Sequence, residues 1–202
     1  MPGVEALFAQ LAARLRERPG QPLDLPGVEL REAAVVVPLS AAPAGPVLVF
    51  TRRPDSLPRH AGQISFPGGV RDPEDTTPLH AALRELREEV GVPEERVSVL
   101  GMLDEIPTIT EFRVAPFVGL LSPGTVLAPD PVEIAEVIEV PVAALLDPAR
   151  QRVERWLVRG AERDVYFFEH AGHTIWGATA RIVRNLLDVT ADLPAWKALV
   201  RS

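Results

Sequence analysis

A glycine pair joined to an acid-faced helix constrains this chain more than any other feature. The run from Arg59 to Val92 reads RHAGQISFPGGVRDPEDTTPLHAALRELREEVGV. Gly68 and Gly69 permit backbone angles and close approaches that residues with side chains resist. After them the spacing predicts a helix over Pro78–Val90, opened by a proline, with Gly91 past its end and Pro93 preventing continuation. At about 100° per residue, Leu79, Ala82, Leu83, Leu86 and Val90 fall on one side. Glu85, Glu88 and Glu89 share a separate arc, because spacings of three and four bring side chains together. Three carboxylates there repel one another unless something positive sits among them. Magnesium-like cations favour carboxylate oxygens and keep open positions for phosphates. Taken alone, the triplet reads as the solvated face of a surface helix, and the glycines as an ordinary tight turn. Side by side, the turn's carbonyl or amide and the glutamates face one cation or phosphate, and Arg84 is placed to pair with Asp75 and fix the loop.

Composition limits the partners. The net charge of −7 argues against a binder of nucleic-acid backbones, which carries a basic face. An anionic substrate is compatible with it where bound cations or local arginines reverse the field. No apolar run approaches the roughly 20 residues that a bilayer-spanning helix needs, and the first residues lack the basic start and apolar core of a secretion signal. The expectation is a small-molecule substrate, no nucleic acid, no membrane and a cytoplasmic location. Absence of cysteine excludes thiolate metal sites and is compatible with a reducing compartment.

No repeat, low-complexity segment or long linker divides the 202 residues, so one domain over 1–202 is expected. A helix over about 4–18, spaced through Leu7, Leu11 and Leu15, and a tail over about 190–202 are expected to be peripheral. Strands are predicted at Ala33–Leu39, Pro46–Thr51, Ile64–Phe66, Val97–Leu103, Arg113–Leu121 and Ala135–Val140. A short helix follows at Pro141–Leu146, then a hairpin of Val153–Val158 and Val165–Glu169 about Gly160, then a helix over Thr174–Val189. Strands outnumber helices without alternating regularly with them. The expected class is α+β, an α/β/α sandwich whose mixed sheet is flanked by helices.

At this point the residues carry a resemblance. Gly69, Asp75, Arg84, Glu85, Leu86, Glu88, Glu89, Gly91 and Val92 resemble the signature of the Nudix hydrolases, whose site is a loop-helix-loop metal centre. Asp75 stands where the general signature has Glu, and eight residues rather than seven separate it from Arg84. Both departures resemble the coenzyme A pyrophosphatase branch. So does the segment upstream, Val47 to Arg53 followed by Leu57 and by Arg59 to Gly69. Glu111 before Phe112 is a further departure, since the resemblance leads one to expect Gly there.

The resemblance implies hydrolysis of coenzyme A or its derivatives to 3′,5′-ADP and 4′-phosphopantetheine with Mg2+ or Mn2+. It implies Glu85 and Glu89 as cation ligands, Glu88 as a further ligand or the general base, and the Gly69 carbonyl as an additional ligand. Arg84, Glu85 and Glu88 are the expected catalytic residues. Glu111, Glu133 and Glu136 rival Glu88 as the base. Arg52, Arg59, His60, Gln63, Ser65 and Gly68 are the expected substrate-binding residues, arginine suiting phosphate through bidentate hydrogen bonds. Two other readings stand: a Nudix enzyme for another diphosphate (NADH, a nucleotide sugar or a dinucleoside polyphosphate), and a non-catalytic nucleotide-binding regulatory module. A homodimer is among the assemblies considered. His170 and His173 lack a third ligand nearby and read as structural. Trp156, Tyr166, Phe167, Phe168 and Trp176 are expected to pack the core rather than stack on adenine.

Overall fold

The computed structural model describes residues 4–56, 61–158 and 160–199. The elements run α1 (Val4–Glu17), β1 (Arg31–Ala42), β2 (Gly45–Arg52), β3 (Ile64–Ser65), β4 (Gly68–Val70), α2 (Pro78–Val90), β5 (Val97–Met102), β6 (Ile106–Pro107) and β7 (Phe112–Leu121). They continue with β8 (Glu136–Pro141), α3 (Val142–Leu146), β9 (Gln151–Val158), β10 (Ala161–His170), β11 (His173–Trp176), α4 (Gly177–Thr190) and α5 (Pro194–Leu199).

The main sheet has the order β3-β2-β1-β7-β5, with β4 added to β1, β6 to β7 and β8 to β2. Only β1 and β7 run parallel, from Arg31 opposite Phe112 to Leu39 opposite Leu120; the other pairings in this sheet are antiparallel. The strands β1 and β2 read as nearly continuous valine-rich runs because helices bury both of their faces. Alternation sends Ala34, Val36 and Val49 to one face, against Ala82, Leu86 and Val90 of α2. Val37, Leu39, Leu48 and Phe50 go to the other, against side chains of α1, α3, α4 and α5. That is the expected α/β/α sandwich. A separate three-stranded sheet, β11-β10-β9, follows α3. No described helix is long and apolar enough to cross a membrane.

Helix α2 has the limits read from the sequence. The Thr77 hydroxyl accepts a hydrogen bond from the His80 N–H at its start, and Gly91 closes it in the left-handed conformation. The segment Thr174–Val189 differs, since His173–Trp176 is a strand paired with β10 and the helix begins at Gly177. The positive φ of Gly177 turns the chain between them, and periodicity alone does not show that break. Both terminal elements also differ from the peripheral placement expected. Leu7, Leu11 and Leu15 of α1 and Trp196 of α5 lie in the larger core.

Candidate metal centre

Strand β4 carries the glycine pair across β1, with Gly68 opposite Val35 and Gly69 opposite Ala34. A methyl group on Gly68 would lie 2.3 Å from the Ala34 carbonyl oxygen, and one on Gly69 would lie 2.4 Å from Oε1 of Glu85. Gly68 is therefore required by close approach to the sheet backbone, whereas Gly69 lies against a carboxylate side chain. The Gly68 N–H donates to Oε2 of Glu89 at 3.3 Å. Glu85 and Glu89 thus meet at the glycine pair, which is a short strand rather than the tight turn read from the sequence.

The three helix glutamates do not share one environment. Glu89 is only 4% exposed, its position on the helix falling beside Leu86 and Val90 toward the sheet. Burial pushes its carboxyl up to about 8, with a further contribution from the charge of Glu85. Burial also raises the Glu85 carboxyl, against the lowering effect of Arg84. Glu88 is turned outward, its Oε2 accepting from Nη1 of Arg84 at 3.0 Å. No group of three His, Asp or Glu side chains among the described residues closes to metal-binding geometry. What converges is a carboxylate pair and the glycine strand.

Arg84 orders the loop that enters the helix. Its Nη2 donates to Oδ2 of Asp75 at 2.9 Å and to the Val70 carbonyl at 3.2 Å, and its Nε donates to Oδ1 of Asp75 at 3.2 Å. Its Nη1 reaches Oε1 of Glu85 at 2.9 Å. Asp75 is buried, and the Arg84 guanidinium holds its carboxyl below the usual carboxylate range. His80 completes the knot, with Nδ1 3.3 Å from Asp75. The pairing of Arg84 with Asp75 anticipated from the sequence is present, and the longer spacing between them is accommodated within it.

The donor set suits a hard cation. Two carboxylates at the glycine strand, raised by burial and by neighbouring acids, are short of positive charge, and only Glu85 has a full ion pair. Magnesium and manganese take one or two carboxylates and leave positions for water and phosphate. Glu85 and Glu89 are the groups here that fit such an ion.

Of the rival acids, Glu133 acts electrostatically on both Glu85 and Glu89. It is brought there by a loop that caps α2, where the Asp130 N–H donates to the Glu89 carbonyl at 2.9 Å and the Ala128 N–H to the Val90 carbonyl at 2.9 Å. Glu136 is instead engaged by Arg52 at 3.1 Å and lies 3.4 Å from His173. Glu111 occupies the turn before β7.

Strand parity separates the two arginines that close β2. Even-numbered residues of β2 face away from α2, and Arg52 lies among them, paired with Glu136 and Asp55. Arg53 follows on the α2 side, where its charge favours the ionised form of Glu89. Its Nε is buried without a hydrogen-bond partner, and among the described residues no acid forms an ion pair with it. In the sequence Arg53 clusters with Arg52, Arg59, His60 and Gln63 as an arginine suited to phosphate, and the period-two rule for strands is the signal that distinguishes it from Arg52. Ser65 sits opposite Thr51 in β3, their hydroxyls 3.4 Å apart, and the Gln63 carbonyl accepts from the Arg53 N–H at 3.0 Å. Arg59 and His60 lie outside the described residues. The histidine pair faces itself across the β10–β11 turn, and Phe167 and Phe168 are buried, whereas Trp156 and Trp176 are 41% and 42% exposed. The expectation that all these aromatics pack the core is corrected for the two tryptophans, because the outer part of the small sheet has no layer over it.

Comparison with known proteins agrees with this geometry. The NUDIX domain matches residues 29–159. The uncharacterized Nudix hydrolase NudL of Photorhabdus laumondii is 42% identical over 156 residues, 77% of this chain and 83% of the relative. NudL of Pectobacterium atrosepticum is 38% identical over 81% of this chain and 85% of its own length. Among solved structures, the Nudix hydrolase RenU of M. smegmatis superposes with a TM-score of 0.55 at 21% identity, over 81% of this chain and 88% of RenU, a likeness of fold. The domain match and the identity to full-length relatives establish that this chain belongs to the Nudix hydrolase family, enzymes that cleave pyrophosphate bonds.

Proposed function

We propose that this single domain hydrolyses the pyrophosphate bond of coenzyme A or its derivatives in the cytoplasm, yielding 3′,5′-ADP and a 4′-phosphopantetheine product. The observation that carries the hydrolytic part is the Glu85–Glu89 pair held against Gly68 and Gly69. The choice of coenzyme A rests on the likeness of residues 47–69 to the motif of that branch. A bound Mg2+ or Mn2+ neutralises nonbridging phosphate oxygens and lowers the pKa of water.

The chain's own residues do the rest. Glu85 and Glu89 provide the carboxylate face, and Arg84 holds Glu85 in place from the Asp75 side. Arg53 presents a guanidinium on the same face as Glu89 and binds a phosphate oxygen of the substrate. Arg59, His60, Gln63 and Ser65 belong to the segment that recognises the rest of the nucleotide. Two carboxylates are placed to take the proton of the attacking water, Glu88 at the outer edge and Glu133 on the capping loop.

Coenzyme A hydrolysis with and without magnesium, with products identified by mass, is the direct test. The expected outcome is turnover only with the cation, and cleavage within the pyrophosphate. NADH or a nucleotide sugar turning over much faster than coenzyme A would reject the substrate assignment. Tight nucleotide binding with no hydrolysis would reject catalysis. Glu85→Gln and Glu89→Gln are each expected to lower kcat by at least about 10²-fold, the scale of a displaced catalytic geometry, while the fold persists. Near-native turnover of both at saturating magnesium would remove their assignment. Comparing the pH–rate profiles of Glu88→Gln and Glu133→Gln identifies the base, since only its loss removes the acidic limb.

A further inference from the structure

The small sheet ends in an open edge. Strand β9 is its outermost member and, among the described residues, no strand pairs with its outer side. Natural sheets guard such edges with proline, lysine, bulges or short length. Here the strand runs eight residues, Gln151–Val158, without proline or lysine, and pairs with β10 in unbroken register from Ala161 opposite Val158 to Phe168 opposite Gln151. Its charges are already satisfied within the sheet. Arg155 is near Glu162 and Asp164 at 3.7 and 3.6 Å, Glu154 pairs with Arg152, and the Arg152 guanidinium lies 3.9 Å over the Phe167 ring.

Exposed apolar groups gather along that edge. Val153 is 55% exposed and Leu157 76%. Four residues apart on one strand, they point to the same face. Trp156 points to the other face, tilted 6.0 Å from Phe167 and 6.2 Å from Trp176. We infer that β9 is the dimer interface of this protein, pairing antiparallel with β9 of a second copy to make one six-stranded sheet.

A second copy fits this edge for two reasons. Two identical antiparallel strands related by a two-fold axis through the sheet must pair residues of equal parity. With the axis at Arg155, Val153 faces the partner's Leu157 and Leu157 faces the partner's Val153, so both exposed aliphatic groups are covered at once. Charge points the same way. The whole chain carries −7, whereas the described residues of this hairpin, 151–158 and 160–164, contain three arginines and three acids, a net charge of zero. This is a surface on which two acidic molecules meet with little repulsion, and it lacks the basic excess that marks a nucleic-acid site.

The chain has no cysteine, which makes a crosslinking test clean. Opposed residues have Cβ atoms about 4.5–5.5 Å apart, within reach of a disulfide after small adjustment, whereas residues 153 and 157 of one strand are separated by about 13 Å. The double variant Val153→Cys/Leu157→Cys is expected to form a covalent dimer in high yield on mild oxidation. Either single variant is expected to form little. No covalent dimer from the double variant, or equal yield from a single one, overturns this register. Light scattering of the unmodified protein at micromolar concentration is expected to give twice the 22.0 kDa chain mass. Leu157→Glu is expected to shift it to the monomer with unchanged circular dichroism. A monomeric unmodified protein, or a Leu157→Glu variant that stays dimeric, overturns the interface.

Discussion

A carboxylic acid buried as Glu89 is holds its proton more tightly in the folded protein than in the unfolded chain. Burial pushes its pKa up to about 8, well above the ordinary value of a glutamate carboxyl, about 4.3. Between those values the folded state binds the extra proton, so this contribution to stability is full at the acid end and is lost as pH rises through 8. In chelator, the melting temperature is therefore expected to fall from pH 5 to pH 8. Glu89→Gln should remove most of that slope, and millimolar magnesium should restore stability at pH 8. A scan in which the unmodified and Gln proteins have the same slope would show that Glu89 is not the source. The adjacent glycines separate fold from function. A methyl on Gly68 meets Ala34 and Val35 backbone atoms at 2.3 and 2.6 Å, so Gly68→Ala is expected to cost about 1–3 kcal/mol of stability in urea titration. On Gly69 it meets the far end of the Glu85 side chain instead. Gly69→Ala should melt near the native temperature yet lose about 10²-fold in turnover, as a displacement near 1 Å does. The helix glutamates were legible as a group because period 3.6 brings them together. Their unequal burial was not, since Glu89 lies at the boundary of the apolar face and only the sheet beneath decides its side.

Among the elements, α2 was fully legible because proline, glycine and apolar spacing agree on its limits. The two- and three-residue strands β4 and β6 were not, being too short to show a period and held in place by pairing with distant strands. The turn into β7 shows a milder case. Glu111 has φ 67, the left-handed region that favours glycine, and the Thr108 hydroxyl accepts from the Phe112 N–H at 3.0 Å to close the turn. The departure noted there in the sequence thus has a backbone cost. Glu111→Gly is expected to raise stability by about 0.5–1 kcal/mol, the left-handed penalty less the greater entropy lost by glycine, measured by thermal unfolding. A loss of stability would mean that side-chain contacts of Glu111 outweigh its backbone cost.

Across the whole molecule, α1 and α5 do not decorate the sandwich but complete its core. Arg18 pairs bidentately with Asp104 at 2.9 and 2.7 Å, and Asn185 of α4 donates to the same carboxylate at 2.9 Å. Leu11 is fully buried, so Leu11→Ala is expected to cost about 2–5 kcal/mol in denaturant unfolding. Turnover per folded molecule should be little changed, because α1 lies on the face of the sheet opposite α2. An unchanged unfolding midpoint would mean the helix is dispensable. The leucine spacing of α1 showed that one face is buried, but nothing local could show against what. The parallel pairing of β1 with β7 has a consequence for synthesis. Gly69, Glu85 and Glu89 all lie between those two strands in the chain, while α2 rests partly on Ala115 and Leu121 of β7, and its last carbonyls are capped by residues 128 and 130. A nascent chain that has not yet released Phe112 therefore contains every one of these residues but not the strand and loop against which α2 is packed and capped. Such long-range closure is slow compared with local helix formation, so on the ribosome α2 and its carboxylate pair settle into place only with the completed sheet.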